Sequence, residues 1–404
     1  MPLILIVGII IAVGLLSGEI LKRFGLPKVT GYILGGVLLN PGLFKIIPPD
    51  FVDHTDLITN ISLSFVTFSV GGTLLFSKIK KLGRIILSIT FFEAELAFIS
   101  VFLAFLCLTP FIVHIKGASA LTVFIPISLL IACLASPTDP STTLAVSHEY
   151  KAKGEVSTTI MGVAALDDVL GIINYSFATT IAAVTITSQP LDVSTFVLSP
   201  LGMIGGAFLL GSVFGMMFNF ITDILRKETE GALIVVIFAS LFICFGLARV
   251  LGFDELLATM SMGAVVVNFN HKSRHIFAML ERYTEEFIFV LFFTLSGMHL
   301  HFNVLPHAFL LILIFFIFRT TGKLLGTFTG AVFAGAGPKV RKYTAGGLIP
   351  QGGIVVGLAL LIQQNPVFSE FSELIMSVII GATVFHEFIG PLAAKIALKK
   401  AREI

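Results

Sequence analysis

Long apolar runs separated by short polar stretches make up almost the whole chain. Predominantly apolar windows fall at about 2–21, 29–47, 56–76, 85–113, 119–147, 157–187, 196–223, 231–251, 255–270, 284–299, 307–334, 344–363 and 373–397. A helix needs roughly 20 apolar residues to cross a bilayer. The pattern therefore predicts an all-α membrane protein with 13 transmembrane helices, one for each of these windows.

The polar stretches give that count a direction. Of the 26 Lys and Arg residues, 21 fall after odd-numbered crossings, and only Lys45, Lys116 and Arg249 fall after even-numbered ones. The remaining two, Arg319 and Lys323, lie inside the eleventh crossing. Basic loops stay on the cytoplasmic side, so the N-terminus is expected outside and the C-terminus in the cytoplasm. A crossing missed or invented in mid-chain would have scrambled this asymmetry.

Composition agrees. With 56% hydrophobic and 12% charged residues and a mean hydropathy of +1.01, the chain is unlike soluble domains, in which about a quarter of residues are charged. The net charge of +2 comes with no basic tract, so no nucleic-acid partner is expected. No small-residue cleavage site follows the first apolar window, which reads as a crossing and not as a removed signal. Cys107, Cys133 and Cys244 lie in apolar runs and read as packing residues. Trp is absent, which leaves Tyr and Phe to form any aromatic belt. Gly205-Gly206 lies within a crossing, where small residues serve helix packing. No nucleotide fingerprint and no cofactor are predicted.

The informative residues are those a membrane should exclude. Asp167 and Asp168 are adjacent in the sixth crossing, where each carboxylate costs about 2.5–3.5 kcal/mol on insertion scales. Intramembrane acids of this kind mark cation or proton sites. In the fifth crossing, Pro137 and Pro140 bracket Thr138 and Asp139. Proline removes a backbone donor and clashes with the preceding turn, so the helix should break there. Such breaks survive at membrane depth only when packed in protein or lining a cavity. The alternative is a simple proline kink whose orphaned backbone groups are satisfied by Thr138 and Asp139.

The twelfth crossing offers a counterpart, with Pro350, Gln351, Gly352 and Gly353 in sequence. It lies seven crossings from the fifth and so runs in the opposite direction. Paired interrupted helices point to inverted-topology repeats, here crossings one to six and eight to thirteen, with two discontinuous crossing helices and the seventh crossing as connector. In the eleventh crossing Arg319 and Lys323 share one helical face, beside Gly322, Gly326 and Gly330, a face that lets another backbone approach. An aspartate of the sixth crossing is the expected partner of Lys323. Adjacent helical residues point about 100° apart, so the other aspartate can face the Thr138–Asp139 break. A plain charge-neutralising bridge is the alternative. Glu93, in the fourth crossing, is expected to pair with Arg319. Glu19 and Glu387 are expected at interfaces, and the histidines mostly in loops or at crossing ends.

Several segments together resemble the monovalent cation:proton antiporters of the sodium/proton exchanger superfamily, on the bacterial sodium/proton and potassium-efflux-like branch. They are LKRFGLPKVTGYILGGVLLNPGLF, SPTDPSTTLA, ALDDVLGI, ELLATMSMGAVVVN, RTTGKLLG, LIPQGG and HEFIGPL, spread over about Leu16 to Lys399. The resemblance implies a monovalent cation and protons bound at Asp168 and Asp167. Asp168 would be the principal ligand, Asp167 the acid paired with Lys323, and Thr138 and Asp139 would line the same site. It implies panel helices at 1–84 and 231–300, an ion-transporting core at 85–190 and 307–397, and a connecting helix at 196–223. It also implies a homodimer in a prokaryotic inner membrane. Two positions depart from the family pattern: Gly71-Gly72-Thr73 stands where relatives carry Gly-Leu-Glu, and Gln351 where many carry Arg.

The activity this implies is exchange of Na+ or Li+ for protons by alternating access, electrogenic given the acidic pair and buried lysine. K+/H+ exchange on the same scaffold is the first alternative. A sodium-coupled organic-anion symporter or an ion channel stands further off. No nucleophile–base pair or metal motif points to an enzyme.

Overall fold

The computed structural model describes residues 2–24, 28–44, 47–52, 55–112, 120–139, 146, 150, 152–164, 166–187, 198–224, 229–299 and 305–404. Among these residues every regular element is a helix. Seven helices are long and apolar enough to cross a membrane: Leu3–Arg23, Gly83–Ile112, Glu155–Ile186, Leu201–Thr222, Glu230–Leu251, Ala308–Phe333 and Pro366–Ala401. Shorter apolar helices occupy Lys28–Leu39, Thr122–Ala135, Glu255–Phe269 and Ile354–Gln364. The described residues are thus all-helical, with seven helices long and apolar enough to span a membrane.

Helix ends follow local chemistry. The Asp254 side chain accepts the Leu257 N–H at 2.8 Å and starts the Glu255–Phe269 helix, a standard N-cap. Gly252, at φ 70°, closes the preceding helix in a conformation that glycine adopts without steric cost.

The chain forms two compact units. One comprises His54–Lys81 and Leu191–Phe292. Within it, the Asp56–Thr73 and Glu255–Phe269 helices lie backbone to backbone, because a Cβ at Gly263 would strike the Phe68 carbonyl. The Thr67 and Thr259 hydroxyls meet 2.7 Å apart across that contact. Small residues and interhelical hydroxyl bonds are the usual means of joining helices in lipid, where no hydrophobic drive exists between them.

The other unit comprises Met1–Asp53, Leu82–Pro190 and Phe293–Ile404. Here Gly322, Gly326 and Gly330 form one face of the Leu305–Phe333 helix and rest on the backbone at Ala97, Glu93 and Ile89. An apolar core in this unit includes Ile86, Ile89, Ile160, Val163, Leu348 and Leu398. Glu19 is half exposed and pairs with Lys28 at 2.5 Å, in keeping with an interfacial position.

Two segments of this unit lose helical form inside apolar surroundings. The fully buried Ile125–Ala132 helix tightens to a 3-10 turn at Cys133–Ala135, and the chain has no regular structure from Pro137 to Asp139. Pro140 lies outside the described residues. Opposite, a 3-10 turn at Thr344–Gly347 precedes an irregular stretch, and the next helix begins only at Gly353.

The sixth apolar window holds the helical segments Glu155–Ala164 and Asp167–Ile186, with Leu166 in a turn before the second. One expectation needs correction. Glu387 was expected at an interface, yet it is fully buried within the Ser369–Ala401 helix, where the Thr30 hydroxyl donates to it at 3.3 Å. Its neighbour His386 is equally buried, with Nδ1 2.8 Å from the Ala382 carbonyl.

Candidate functional site

The two irregular stretches meet. The Asp139 N–H donates to the Pro350 carbonyl at 3.1 Å, and Gly352 leaves room for the Asp139 carboxylate, which a Cβ there would crowd at 3.1 Å. Gly171 likewise admits the ring of Pro137. The Pro137–Gly171 contact sets the broken backbone against the first turns of the Asp167–Ile186 helix.

Breaking a helix in an apolar setting orphans carbonyls, each of which needs a donor. Arg319 supplies most of them. Its Nε donates to the Ala135 carbonyl at 3.0 Å, Nη1 to Ile349 at 2.7 Å, and Nη2 to Pro137 at 2.6 Å and Pro350 at 3.4 Å. A planar guanidinium with five donors suits this task. Gln351 adds a fifth link, with Nε2 donating to the Leu134 carbonyl at 2.8 Å. Both side chains are fully buried.

Lys323, one helical turn beyond Arg319, reaches the same point. Its ammonium donates to Glu93 Oε1, to the Ser136 carbonyl at 2.7 Å and to the Thr138 hydroxyl at 2.8 Å. These three partners use its three donors. Asp167 Oδ2 stands 3.6 Å from Nζ and takes its hydrogen bond from the Thr138 hydroxyl. Thr138 therefore accepts from the lysine and donates to the aspartate. The expected pairing of Glu93 with Arg319 is not what forms: Glu93 belongs to Lys323, and Arg319 is spent on backbone carbonyls. The cause is the packing of Gly326 on the Glu93 backbone, which sets Lys323 against Glu93 one turn away.

Asp167 and Asp168 open their helix, where the backbone N–H groups and the helix dipole favour negative charge. Asp167 is fully buried and Asp168 is 6% exposed. Asp168 lies within the field of Asp167, Asp139, Lys323 and Glu93. Among the described residues, Asp167 Oδ1, Glu93 Oε2 and Gln351 Oε1 are buried acceptors without a hydrogen-bond donor. Carboxylate and amide oxygens of this kind are hard ligands suited to alkali cations and protons.

The structure brings together Asp167, Asp168, Thr138, Asp139, Lys323, Glu93, Arg319, Pro137, Pro350 and Gln351. It adds two residues the sequence reading had not singled out. Ser136 contributes its carbonyl to Lys323 and its hydroxyl to the Ala94 carbonyl at 3.1 Å. Asn174 donates to the Ser136 hydroxyl at 3.1 Å. The available signal for Asn174 was a lone amide in an apolar helix, seven residues and so about two turns beyond Asp167.

Comparison with known proteins places this geometry. The family model described as "Sodium/hydrogen exchanger, transmembrane" matches residues 8–400. The Na+/H+ antiporter of Enterococcus hirae is 23% identical over 99% of both chains. The Na+/H+-K+ antiporter GerN of Bacillus cereus is 21% identical over 85% of this chain and 84% of its own. Among solved structures, the sodium proton antiporter MjNhaP1 of Methanocaldococcus jannaschii at pH 8 superposes with a TM-score of 0.79 over 98% of both chains, at 18% identity. That likeness establishes a shared fold, and the family match extends over nearly the whole sequence. The chain belongs to the transmembrane sodium/hydrogen exchanger family.

Proposed function

We propose that this protein is a secondary active antiporter that exchanges Na+ or Li+ for protons by alternating access, with Asp168 as principal ligand of both. The observation that carries this reading is the placement of Asp167 and Asp168 at a helix start beneath two interrupted backbones, with Thr138 and Lys323 in contact with Asp167. Irregular backbone at membrane depth is tolerated where it lines a cavity, and it supplies ion ligands there. A cation arriving at the carboxyls displaces protons, and protons arriving from the other side displace the cation. Either occupant neutralises the site, which lowers the cost of carrying it through apolar surroundings.

In this account the chain crosses an inner cell membrane thirteen times, N-terminus outside and C-terminus in the cytoplasm, with inverted repeats and two discontinuous helices. Helices of 85–190 and 307–397 form the moving core, those of 1–84 and 231–300 the panel, and 196–223 the connector, in a homodimer. Arg319 and Gln351 hold the break in shape, and Glu93 and Lys323 set the charge balance around Asp167. Lys323 and two acids at one site make the exchange electrogenic, with more protons than cations moved per cycle.

K+/H+ exchange is the second reading. It is favoured by the name of the B. cereus relative, a Na+/H+-K+ antiporter. Purified protein in liposomes, assayed for proton flux on addition of Na+, Li+ or K+ at several pH values, tests both. Proton release driven by Na+ and Li+ supports the first; a response to K+ at lower concentration than to Na+ supports the second; no cation-dependent flux removes both.

A further inference from the structure

Gly154 opens the Glu155–Ala164 helix, its carbonyl accepting the Thr158 N–H at 3.2 Å. Having no side chain, it cannot cap the N–H groups that follow, as Ser, Thr, Asp or Asn would. The cap comes instead from Glu403, 247 and 246 positions away: Oε1 accepts the Val156 N–H and Oε2 the Ser157 N–H, each at 2.8 Å. The Glu403 carbonyl accepts the Lys153 N–H at 3.2 Å as well. A Cβ at Gly154 would strike the Glu403 carboxyl, so glycine there is what lets the carboxylate in.

Reaching this position strains the chain. Glu403 follows the Ser369–Ala401 helix through Arg402, which at φ 60° is the one non-glycine residue in the left-handed region among the described residues. Glycine ordinarily takes that place after a helix. A residue held there persists only where its surroundings fix it, and here the fixing contacts are those of Glu403.

What this clasp joins bears on the ion site. The Ser369–Ala401 helix rests on Pro350 through Gly390, and Ile160 of the capped segment rests on Gly347, at the other end of the same interrupted stretch. Past Leu166 the chain enters Asp167 and Asp168. The inner face of the capped segment is packed, with Val156, Ile160 and Val163 buried. Beside its first turns, however, lies a cavity of about 590 Å³ whose lining includes Ile85, Ile86, Thr158, Thr159, Gly337 and Val340. A hollow offers no contacts to hold the segment on that side.

We infer that Glu403 is a positioning residue for exchange: by tying the Glu155–Ala164 segment to the end of the Ser369–Ala401 helix, it keeps that segment from shifting toward the cavity and so fixes where Asp167 and Asp168 stand. This rests on the exchange function proposed above and adds a residue to it. Glu403 touches neither cation nor proton, and it acts through the segment that leads into the two aspartates.

The test compares native protein, E403A and E403A/G154D in proteoliposomes and in thermal unfolding. Aspartate at position 154 is an ordinary helix cap and has room once the Glu403 carboxyl is gone, but it ties the segment to nothing else. E403A is expected to lower the melting temperature and to raise the apparent KM for Na+ about tenfold, with the maximal rate within about threefold of native. E403A/G154D is expected to recover the melting temperature while keeping the raised KM, a split that a capping role alone would not produce. Unchanged KM in E403A, a fall in maximal rate alone, or a native KM in the double variant overturns the inference. Should E403A fail to fold, the double variant decides alone by its KM. Absence of Na+- or Li+-driven proton flux in the native protein removes the exchange reading itself and this inference with it, a result distinct from a variant that exchanges with native KM.

Discussion

Lys323 donates to Glu93 Oε1 and stands 3.6 Å from Asp167 Oδ2, so one fully buried ammonium serves two fully buried carboxyls. Removing one partner of a buried ion pair leaves an uncompensated charge and costs about 3–5 kcal/mol, whereas removing both partners costs far less. K323M is therefore expected to be strongly destabilised, and K323M/E93Q to recover a substantial part of the loss. Thermal unfolding of the detergent-solubilised variants, arranged as a double-mutant cycle, measures the coupling. Additive effects of the two changes would show that the pair does not act as drawn.

Thr138 passes one hydrogen bond from Lys323 and gives another to Asp167. Valine has the same shape without the hydroxyl, and T138V leaves a lysine donor and an aspartate oxygen unmatched. A buried group stripped of its partner costs about 1–3 kcal/mol. Transport should fall roughly tenfold or more, with T138S restoring most of it. The comparison of the two variants in vesicles separates the hydroxyl from the methyl group.

Arg319 spans four carbonyls of the two interrupted segments. Lysine keeps the charge but offers a point charge with three donors in place of a planar fork. R319K should orphan at least one carbonyl and lower stability by about 1–3 kcal/mol, and R319A should be worse. Q351L should lose the Leu134 link alone and sit nearer native. The ranking R319A, R319K, Q351L, native in melting temperature is the expected outcome; a native-like R319K would show that charge, not the fork, matters.

Gly326 rests directly on the backbone at Glu93. A side chain there would force the two helices apart and carry Lys323 away from Glu93. G326V is expected to cost more than about 1 kcal/mol and to reduce transport along with stability. A change of G231V, where the nearest atom to an added Cβ lies 3.9 Å away, serves as the control and should leave both unaltered.

Much of this architecture was legible beforehand because membranes impose strict rules. Pro137 and Pro350 marked the two interruptions, and the glycine face of Gly322, Gly326 and Gly330 announced a close helix contact. The choice of ion-pair partners was not legible. Glu93 lies 230 positions from Lys323 along the chain, and no periodicity within either helix reveals which facing residue the Gly326 contact selects. Nor could hydrophobicity locate the turn at Leu166, since leucine is as apolar as the window around it. Glu387 stands near the end of its apolar window yet away from water, because the Ser369–Ala401 helix runs on past it.

The central claim is that Asp168 binds the transported cation and proton, and its most direct measurement is ΔpH-driven exchange in proteoliposomes of native protein and D168N. The native protein is expected to release protons on addition of Na+ or Li+, and D168N, matched in size and unable to ionise, to lose at least about a hundredfold of that rate. D168N vesicles that still exchange Na+ or Li+ for protons at near-native rates would contradict the account.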